Sequence, residues 1–585
     1  MKKQIYALVD AFGRAHKVSV FIEQFAACCV WVKLMMSNHL DDERLFDHKL
    51  IDQTTNIERL KRVLNECVSV NFNSDHWSLS HSEFRNLMNA LLELVKTNTI
   101  SYQDLSEAIE ALLETDGKRI GNYSISKELS RLGINLLEEK ISSVYCPFVA
   151  GYKFAHLLPI ESDVFGETPL PADEFYAEVH NLLLDRKFSI TCTDPILVPT
   201  LLGHGGLRQF QSAIAIPPLG TKVYNKVDIQ DIWGRFPEKS LMDEVYQLRH
   251  MLAQTSERVV CFVTNGFLFR SAAGEKQFKE DILNKNWLKV VISLPSNLLE
   301  LTSIPLSIVV FDKTKSSQDV LFVDASSEHF VEKVSRVRNK LINADDILSV
   351  FKDLKDSQFS KLCSIKEIET QEYNLSPNRY VISEKDAGLE AFLQNYELAK
   401  LSDLVEIIRP QAIKHDENGD CVYIEHNLTS LNPVGQLTGD GKVVKVPSKE
   451  ASKAEKQRIL IGDVLVSCRG AVGKVALIDF AVPDNLLASQ AFAILRCKPH
   501  VSGITSTALY QYLISEYGQI QLTGLVTGTT AQMLSAKDLS NIVIPKFTPG
   551  KLAEFEAVRT SVLEKYAQLI QLESEITQLN MNCLK

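Results

Sequence analysis

Several signals are missing from this chain, and each absence narrows what it does. The N-terminal segment MKKQIYALVDAFGRAHK interrupts its apolar run at Asp10 and Arg14, so it lacks the h-region of a signal peptide. The longest apolar stretch, Phe25 to Met36, contains Lys33 and reads as well short of a membrane span. A cytoplasmic location is expected. Among the 11 cysteines there is no CxxC pair and no Cys/His cluster at zinc spacing, and Cys28 and Cys29 are adjacent. This excludes a disulfide framework and leaves reduced thiols, with no metal expected. Internal repeats and low-complexity tracts are absent. So is any excess of positive charge: the formal net charge is -10, which argues against coating nucleic acid through a global positive field. A modular reader can still hold its basic residues in one groove. Lys442, Lys445, Lys449, Lys453, Lys456 and Arg458 form a local candidate, against the alternative of a solvated loop or helix face.

What is present is the composition of an ordinary globular protein, 45% hydrophobic and 23% charged, in a chain of 585 residues, too long for one core. From 1 to 135 apolar residues recur at threes and fours, as in LMNALLELVKTN and QDLSEAIEALLETDG, which predicts a helical N-terminal domain. From 136 to 380 short β-rich runs alternate with helical segments: ISSVYCPF, SDVFG, KFSITC, QSAIAI, RVVCFVT, LKVVISL and LSIVVFDK. That alternation implies βαβ units around a mostly parallel sheet, with 326–380 expected to be helical. A polar linker helix is expected over 381–400. From 401 to 548 short strands and glycine turns indicate a separate α/β domain. After Pro549 and Gly550 no breaker occurs, and Phe555, Val558, Val562, Tyr566, Leu569, Leu572, Ile576 and Leu579 mark one face of a long, coiled-coil-like helix over 549–585. That stripe needs a cover, either the helix near 383–398 or a second copy.

Specific motifs then carry a resemblance. VYCPFVAGYKFAHLL, Val144 to Leu158, resembles the S-adenosylmethionine loop, approximately DPFxGxGxFL, of the N6-adenine DNA methyltransferases that serve as type I modification subunits. Pro147, Phe148, Gly151 and Phe154 match, but Cys146 stands at the motif's Asp and the glycine turn is altered. The resemblance implies a Rossmann-like methyltransferase fold. It places Glu167, in VFGET, where an acid holds the cofactor's ribose, and Asp194, in CTDPIL, beside its adenine. FQSAIAIPPLG occupies the place of the family's catalytic (N/D)PP(F/Y), giving Ile216, Pro217, Pro218 and Leu219. In an active enzyme that Asn and a proline carbonyl accept from the adenine amino group, and the aromatic ring stacks on the flipped base. Ile216 has no acceptor and Leu219 no π face. By analogy with oxyanion-hole losses, the missing amide alone costs about 3 to 4 kcal/mol of transition-state stabilisation. FVTNGFLFR, LPSNL followed by SIP, LFVDAS and LSPNRY continue the resemblance to about residue 380.

From 401 the chain resembles one target-recognition domain of a type I specificity subunit, through KLSDLVEIIRP, ILIGDVLVSCRGAVGKVALI, DNLLASQAFAILRCKP and LVTGTTAQMLSAKDLSNIVIPKF. GAVGK is not a Walker loop, because Cys468 precedes it at a required position and Lys474 is followed by Val475. The resemblance implies reading of double-stranded DNA, with Arg469, Lys474, Thr529, Thr530, Gln532, Lys445 and Lys449 as candidate contacts, turn chemistry being the plain alternative for each. Such subunits usually carry two recognition domains and this chain has one, so a homodimer through the C-terminal helix is expected. No P-loop or nuclease motif is recognised, so cutting or translocation would fall to partner subunits. The expected function is a DNA-binding recognition and scaffold subunit of a type I, anti-phage defence system with an inactive methyltransferase domain and no cofactor. The alternatives are an active N6-adenine methyltransferase that uses S-adenosylmethionine, and a protein-interaction module that has left DNA.

Overall fold

The computed structural model describes residues 18–37, 39–67, 77–115, 125–137, 140–299, 302, 304–335, 338–381, 384–438, 441–525 and 533–582. The chain divides into two compact units at Val381 and Ile382.

The first unit opens with helices α1 (Val18–Met36), α2 (Thr54–Cys67), α3 (His81–Lys96), α4 (Tyr102–Thr115) and α5 (Lys127–Asn135). A capping box at Ser80 and Glu83 starts α3, each side chain satisfying the other residue's backbone N–H. α1 is apolar on every side, a pattern that belongs in a core. Contrary to the expectation from Phe25–Met36, the segment Ser19–Met36 is long and apolar enough to cross a membrane. The packing of the unit accounts for it instead: every residue from Phe25 to Val32 is fully buried, and Trp31 stacks on Phe84 at 6.4 Å between ring centroids. The same core continues into Val144, Ile214 and Val260 of the sheet. The helical block expected to end at 135 is therefore not packed as a separate body.

Nine strands form the sheet: β1 (Ser143–Tyr145), β2 (Asp163–Thr168), β3 (Phe188–Cys192), β4 (Phe210–Ala215), β5 (Thr255–Thr264), β6 (Leu288–Ser293), β7 (Leu306–Asp312), β8 (Val320–Asp324) and β9 (Ser360–Cys363). All seven apolar runs read from the sequence are strands. Their order is β9-β8-β6-β7-β5-β4-β1-β2-β3. β7 runs antiparallel to β5 and β6, and β9 antiparallel to β8; the other pairs are parallel. Between β1 and β2 lies helix α6 (Tyr152–Ala155), between β2 and β3 helix α7 (Pro171–Leu184), and before β5 helix α8 (Asp243–Ala253). Strand order reverses at β1, whose neighbours are β2 and β4, which makes the carboxyl ends of β1 and β4 the switch point where open α/β sheets place their ligand crevice. The stretch 326–380 is not the helical block expected. It holds a two-stranded ribbon, Val331–Ser335 with Arg338–Leu341, and the edge strand β9 beside two short helices. The ribbon is polar and mostly exposed, so it shows no apolar alternation that would distinguish its strands from a solvated helix.

In the second unit the helix expected to fill 381–400 ends at Leu393. Residues Glu397–Lys400 instead form β10, which pairs antiparallel with β18 (Val543–Lys546) and ties the start of the module to its end. Between them lie a sheet of β11 (Val405–Ile408), β17 (Phe492–Cys497), β14 (Val464–Ser467) and β15 (Val475–Leu477), and a second of β13 (Lys442–Val446), β12 (Cys421–His426) and β16 (Leu486–Ala488). Helix α9 (Pro549–Asn582) follows. Leu552 and Phe555 pack on the unit's core, and buried Arg559 pairs with Asp479 at 2.6 Å. Beyond that turn Val562, Leu569, Leu572, Ile576 and Leu579 are solvent-exposed. The helix near 383–398 does not cover them; it sets Phe392 on Tyr517 with ring centroids 4.0 Å apart.

Candidate functional site

The loop leaving β1 turns back on itself more tightly than its side chains suggest. Phe148 and Ala150 take the left-handed conformation, at φ 72° and 56°, where glycine is the usual occupant. Gly151 is obligatory: a Cβ there would stand 2.4 Å from the Cys146 carbonyl oxygen, and one on Gly166 would stand 2.7 Å from the same atom. The loop's amides face protein. Cys146 N and Phe148 N donate to the carbonyls of Phe165 and Glu167, each at 2.7 Å, and Ala150 N donates to Asp173 Oδ2 at 2.8 Å. Pro147 is buried with the rest of the loop. Burial pushes the Cys146 thiol far above the ordinary thiol range, so it is neutral where an acid was expected.

Glu167 sits at the end of β2 as read from the sequence, but it is fully buried and both its oxygens are occupied. Oε1 accepts from Thr200 Oγ1 at 2.7 Å and from the Thr200 and Leu201 amides; Oε2 accepts from Tyr145 Oη at 2.6 Å. Tyr145 Oη also meets His250 Nε2 at 2.8 Å, and His250 Nδ1 meets Arg235 Nη1 at 2.9 Å. One proton arrangement satisfies this chain. A guanidinium only donates, so His250 accepts from it at Nδ1 and donates from Nε2 to Tyr145 Oη, and the tyrosine in turn donates to Glu167. Burial first, and Arg235 second, hold the His250 pKa well below the usual histidine value, consistent with that neutral tautomer. Arg235 is anchored in turn by Asp231 and by the carbonyls of Pro195 and Ile196. The network bolts the segment after β3 onto the ends of β1 and β2.

Asp194, expected beside an adenine, accepts from the Ile196 amide at 2.9 Å and from Tyr224 Oη at 3.1 Å. Tyr224 is held there by Asp243, whose carboxylate accepts from the Val223 and Tyr224 amides. Ile216, Pro217 and Leu219 are buried, Pro218 is partly so, and the Pro218 carbonyl accepts from Gln247 Nε2 at 3.2 Å.

In the second unit the basic candidates separate. Arg469 and Lys474 are exposed on the β14–β15 hairpin, whose turn places Gly470 and Gly473 at φ 79° and 91°, so GAVGK is turn chemistry that also displays two cations. Thr529, Thr530 and Gln532 lie outside the described residues. Lys442 and Lys445 stand on β13, while Arg458 is committed to Glu455 and Asp484. Lys449, Lys453 and Lys456 line a cleft of about 500 Å³ with Arg409. Arg409, in IIRP, was not singled out in the sequence, nor were Tyr145, Arg235, Tyr224 and His250. Tyr145 immediately precedes Cys146 and could have drawn attention. His250, 105 residues further on, carries no local signal.

Two family models match the chain: "N-6 DNA Methylase" over residues 179–388 and "Type I restriction modification DNA specificity domain" over residues 394–578. The first match begins downstream of both the Cys146–Gly151 loop and Glu167. The type I restriction enzyme MjaVII methylase subunit of Methanocaldococcus jannaschii is 25% identical over 392 residues, 58% of this chain and 66% of that one. The MpnII methylase subunit of Mycoplasma pneumoniae is 30% identical over 154 residues, 26% of this chain and 28% of its own length. The chain thus spans less than two thirds of either relative. Among solved structures, the type I restriction-modification methyltransferase subunit from Streptococcus thermophilus matches 65% of this chain and 98% of its own at a TM-score of 0.51 and 15% identity, a likeness of fold.

Proposed function

We propose a function from one premise: this chain belongs to the type I restriction-modification family, an N-6 DNA methylase domain joined to a type I DNA specificity domain. It binds double-stranded DNA and scaffolds a cytoplasmic defence complex, and its methyltransferase-fold domain does not transfer methyl groups. The observation that carries this reading is the Glu167–Tyr145–His250–Arg235 network. S-adenosylmethionine brings a ribose diol, a sulfonium and an ammonium, and needs open acceptors for them. Glu167 is fully buried with both oxygens engaged, Asp194 accepts from Tyr224, and Cys146 is a neutral thiol. The residues as placed do not fit the cofactor. Ile216 and Leu219, buried in the core, offer an extruded adenine neither an acceptor nor a stacking surface.

DNA binding is supported by the cationic cleft at Arg409, Lys449, Lys453 and Lys456 and by the exposed pair Arg469 and Lys474. These place phosphate-seeking charges locally on a chain that is acidic as a whole. The exposed stripe of α9 supports a homodimer, which would bring two recognition domains together. Nuclease and translocase activities would belong to partner subunits.

The test is a duplex-binding assay titrated with salt, run beside an adenine-methylation assay. Four phosphate contacts give a slope of about -3.6 in log K against log salt. The proposal expects that order of slope and no methyl incorporation. Salt-independent binding would favour a protein partner, and methylation would make the domain an enzyme.

A further inference from the structure

A second cluster in the first unit lies away from the crevice. Glu110 on α4, His156 at the end of α6 and His180 on α7 each bring one potential ligand atom within 4.8 Å of the other two. His156 and His180 are 8% and 0% exposed, with ring centroids 5.1 Å apart. Neither ring nitrogen of His156 has a hydrogen-bond partner. The Asn181 amide beside it accepts from Phe188 N at 3.1 Å and gives one of its two Nδ2 hydrogens to Phe188 O at 2.9 Å, the second lying toward His156 outside hydrogen-bond geometry. His180 holds Nδ1 against Ser106 Oγ at 2.8 Å, which leaves Nε2 with no protein partner. Buried polar atoms are nearly always satisfied, so three orphaned imidazole nitrogens in one corner point to an absent ligand. Glu110 and His156 border a cleft of about 270 Å³, through which a small ion and water could enter.

We propose that Glu110, His156 and His180 bind a zinc-type divalent cation, with a water from the cleft as the fourth ligand. Two imidazoles and one carboxylate are a donor set zinc uses. With bonds of about 2.0 to 2.2 Å, tetrahedral ligand atoms stand roughly 3.3 Å apart, so the trio closes by about 1.5 Å at most on binding. Glu110 stands partly exposed on the rim of the cleft, and its side chain makes the closing movement. Burial, helped by the positive charges of Arg186 and Lys153, keeps both rings in the neutral form that offers a lone pair. Ser106 plays the outer part, fixing the His180 tautomer so that Nε2 faces the ion. The ion would join α4 of the helical block to α6 and α7, pinning the exit of the Cys146–Gly151 loop.

The full chain, stripped with EDTA, is titrated with Co²⁺ and then Zn²⁺. One equivalent of Co²⁺ is expected to give visible absorption of a low-coordinate N/O site, displaced by Zn²⁺, with a melting temperature that rises with Zn²⁺ concentration. Glu110→Gln leaves the packing intact and is expected to weaken uptake at least tenfold; Ser106→Ala weakens it by about 10- to 100-fold. His156→Ala should abolish uptake. Because that variant opens a cavity, a failure of it to fold transfers the decision to Glu110→Gln. No stoichiometric uptake, or uptake unchanged in Glu110→Gln, overturns the proposal.

Discussion

Removing one hydroxyl tests whether the buried network holds the crevice shut. Tyr145→Phe keeps the ring, which stacks on Phe210 at 5.1 Å, so it creates no cavity. It strands Glu167 Oε2 and the His250 Nε2–H, both fully buried. Leaving a buried partner unmade costs about 1 to 3 kcal/mol, more for a charged group, so the pair should cost about 2 to 6 kcal/mol. That is a large part of the roughly 5 to 15 kcal/mol that stabilises a folded unit. All four tryptophans, Trp31, Trp77, Trp233 and Trp287, precede residue 381, so tryptophan fluorescence during denaturation reports the first unit alone. Combining Tyr145→Phe with Glu167→Gln should cost less than the sum of the two, with a coupling of about 0.5 to 3 kcal/mol. A loss under about 0.5 kcal/mol, or strictly additive losses, would refute the network as a structural bolt.

Four further outcomes are expected. His250 titrates below its unfolded value, so only the unfolded chain takes up its proton between pH 6.5 and the folded value, and stability falls as pH drops through that window. His250→Gln keeps a donor and an acceptor without a titrating ring, and should lose about 1.4 kcal/mol less than the parent between pH 7.5 and 5.5; equal losses would contradict the neutral tautomer. Gly151→Ala drives a Cβ into the Cys146 carbonyl and should cost about 3 kcal/mol or more, read from the same fluorescence transition. Lys449→Glu with Lys456→Glu should lower duplex affinity and flatten the salt slope by about 1.8; an unchanged slope removes the cleft from the DNA surface. Leu572→Glu with Ile576→Glu on α9 should convert a dimer to a monomer in sedimentation, and a parent that is already monomeric argues against pairing through this helix.

What the sequence revealed depended on how local the signal was. Strands such as RVVCFVT and LSIVVFDK are buried on both faces, so their apolar runs announce a sheet covered on both sides without any knowledge of their neighbours; strand direction is not in them, and LSIVVFDK runs antiparallel to both its neighbours. Pro549 and Gly550 mark the start of α9 because both residues act on their own backbone. The β10–β18 clasp was not legible, since Glu397 and Lys546 meet 149 residues apart and nothing in ELAK asks for a partner. The ribbon at 331–341 is local but polar and mostly exposed, so it carries no apolar alternation to mark it as a strand pair. At the site, the departures from the family motif at Cys146, Ile216 and Leu219 stand in the sequence itself. Glu167 was placed correctly at its strand end, but the sequence could not say that Tyr145 and Thr200 fill its two oxygens, because occupancy depends on contacts across the fold. The buried histidines were invisible as a pair for the same reason: α6 and α7 meet only once β1 and β2 are side by side.

Calorimetric titration of S-adenosylmethionine into the full chain, with and without duplex DNA, tests the central claim most directly. The account predicts no binding heat in either case, while the same preparation binds DNA with a steep salt dependence. Stoichiometric binding of the cofactor would contradict it, since Glu167 and Asp194 would then have to release Tyr145 and Tyr224.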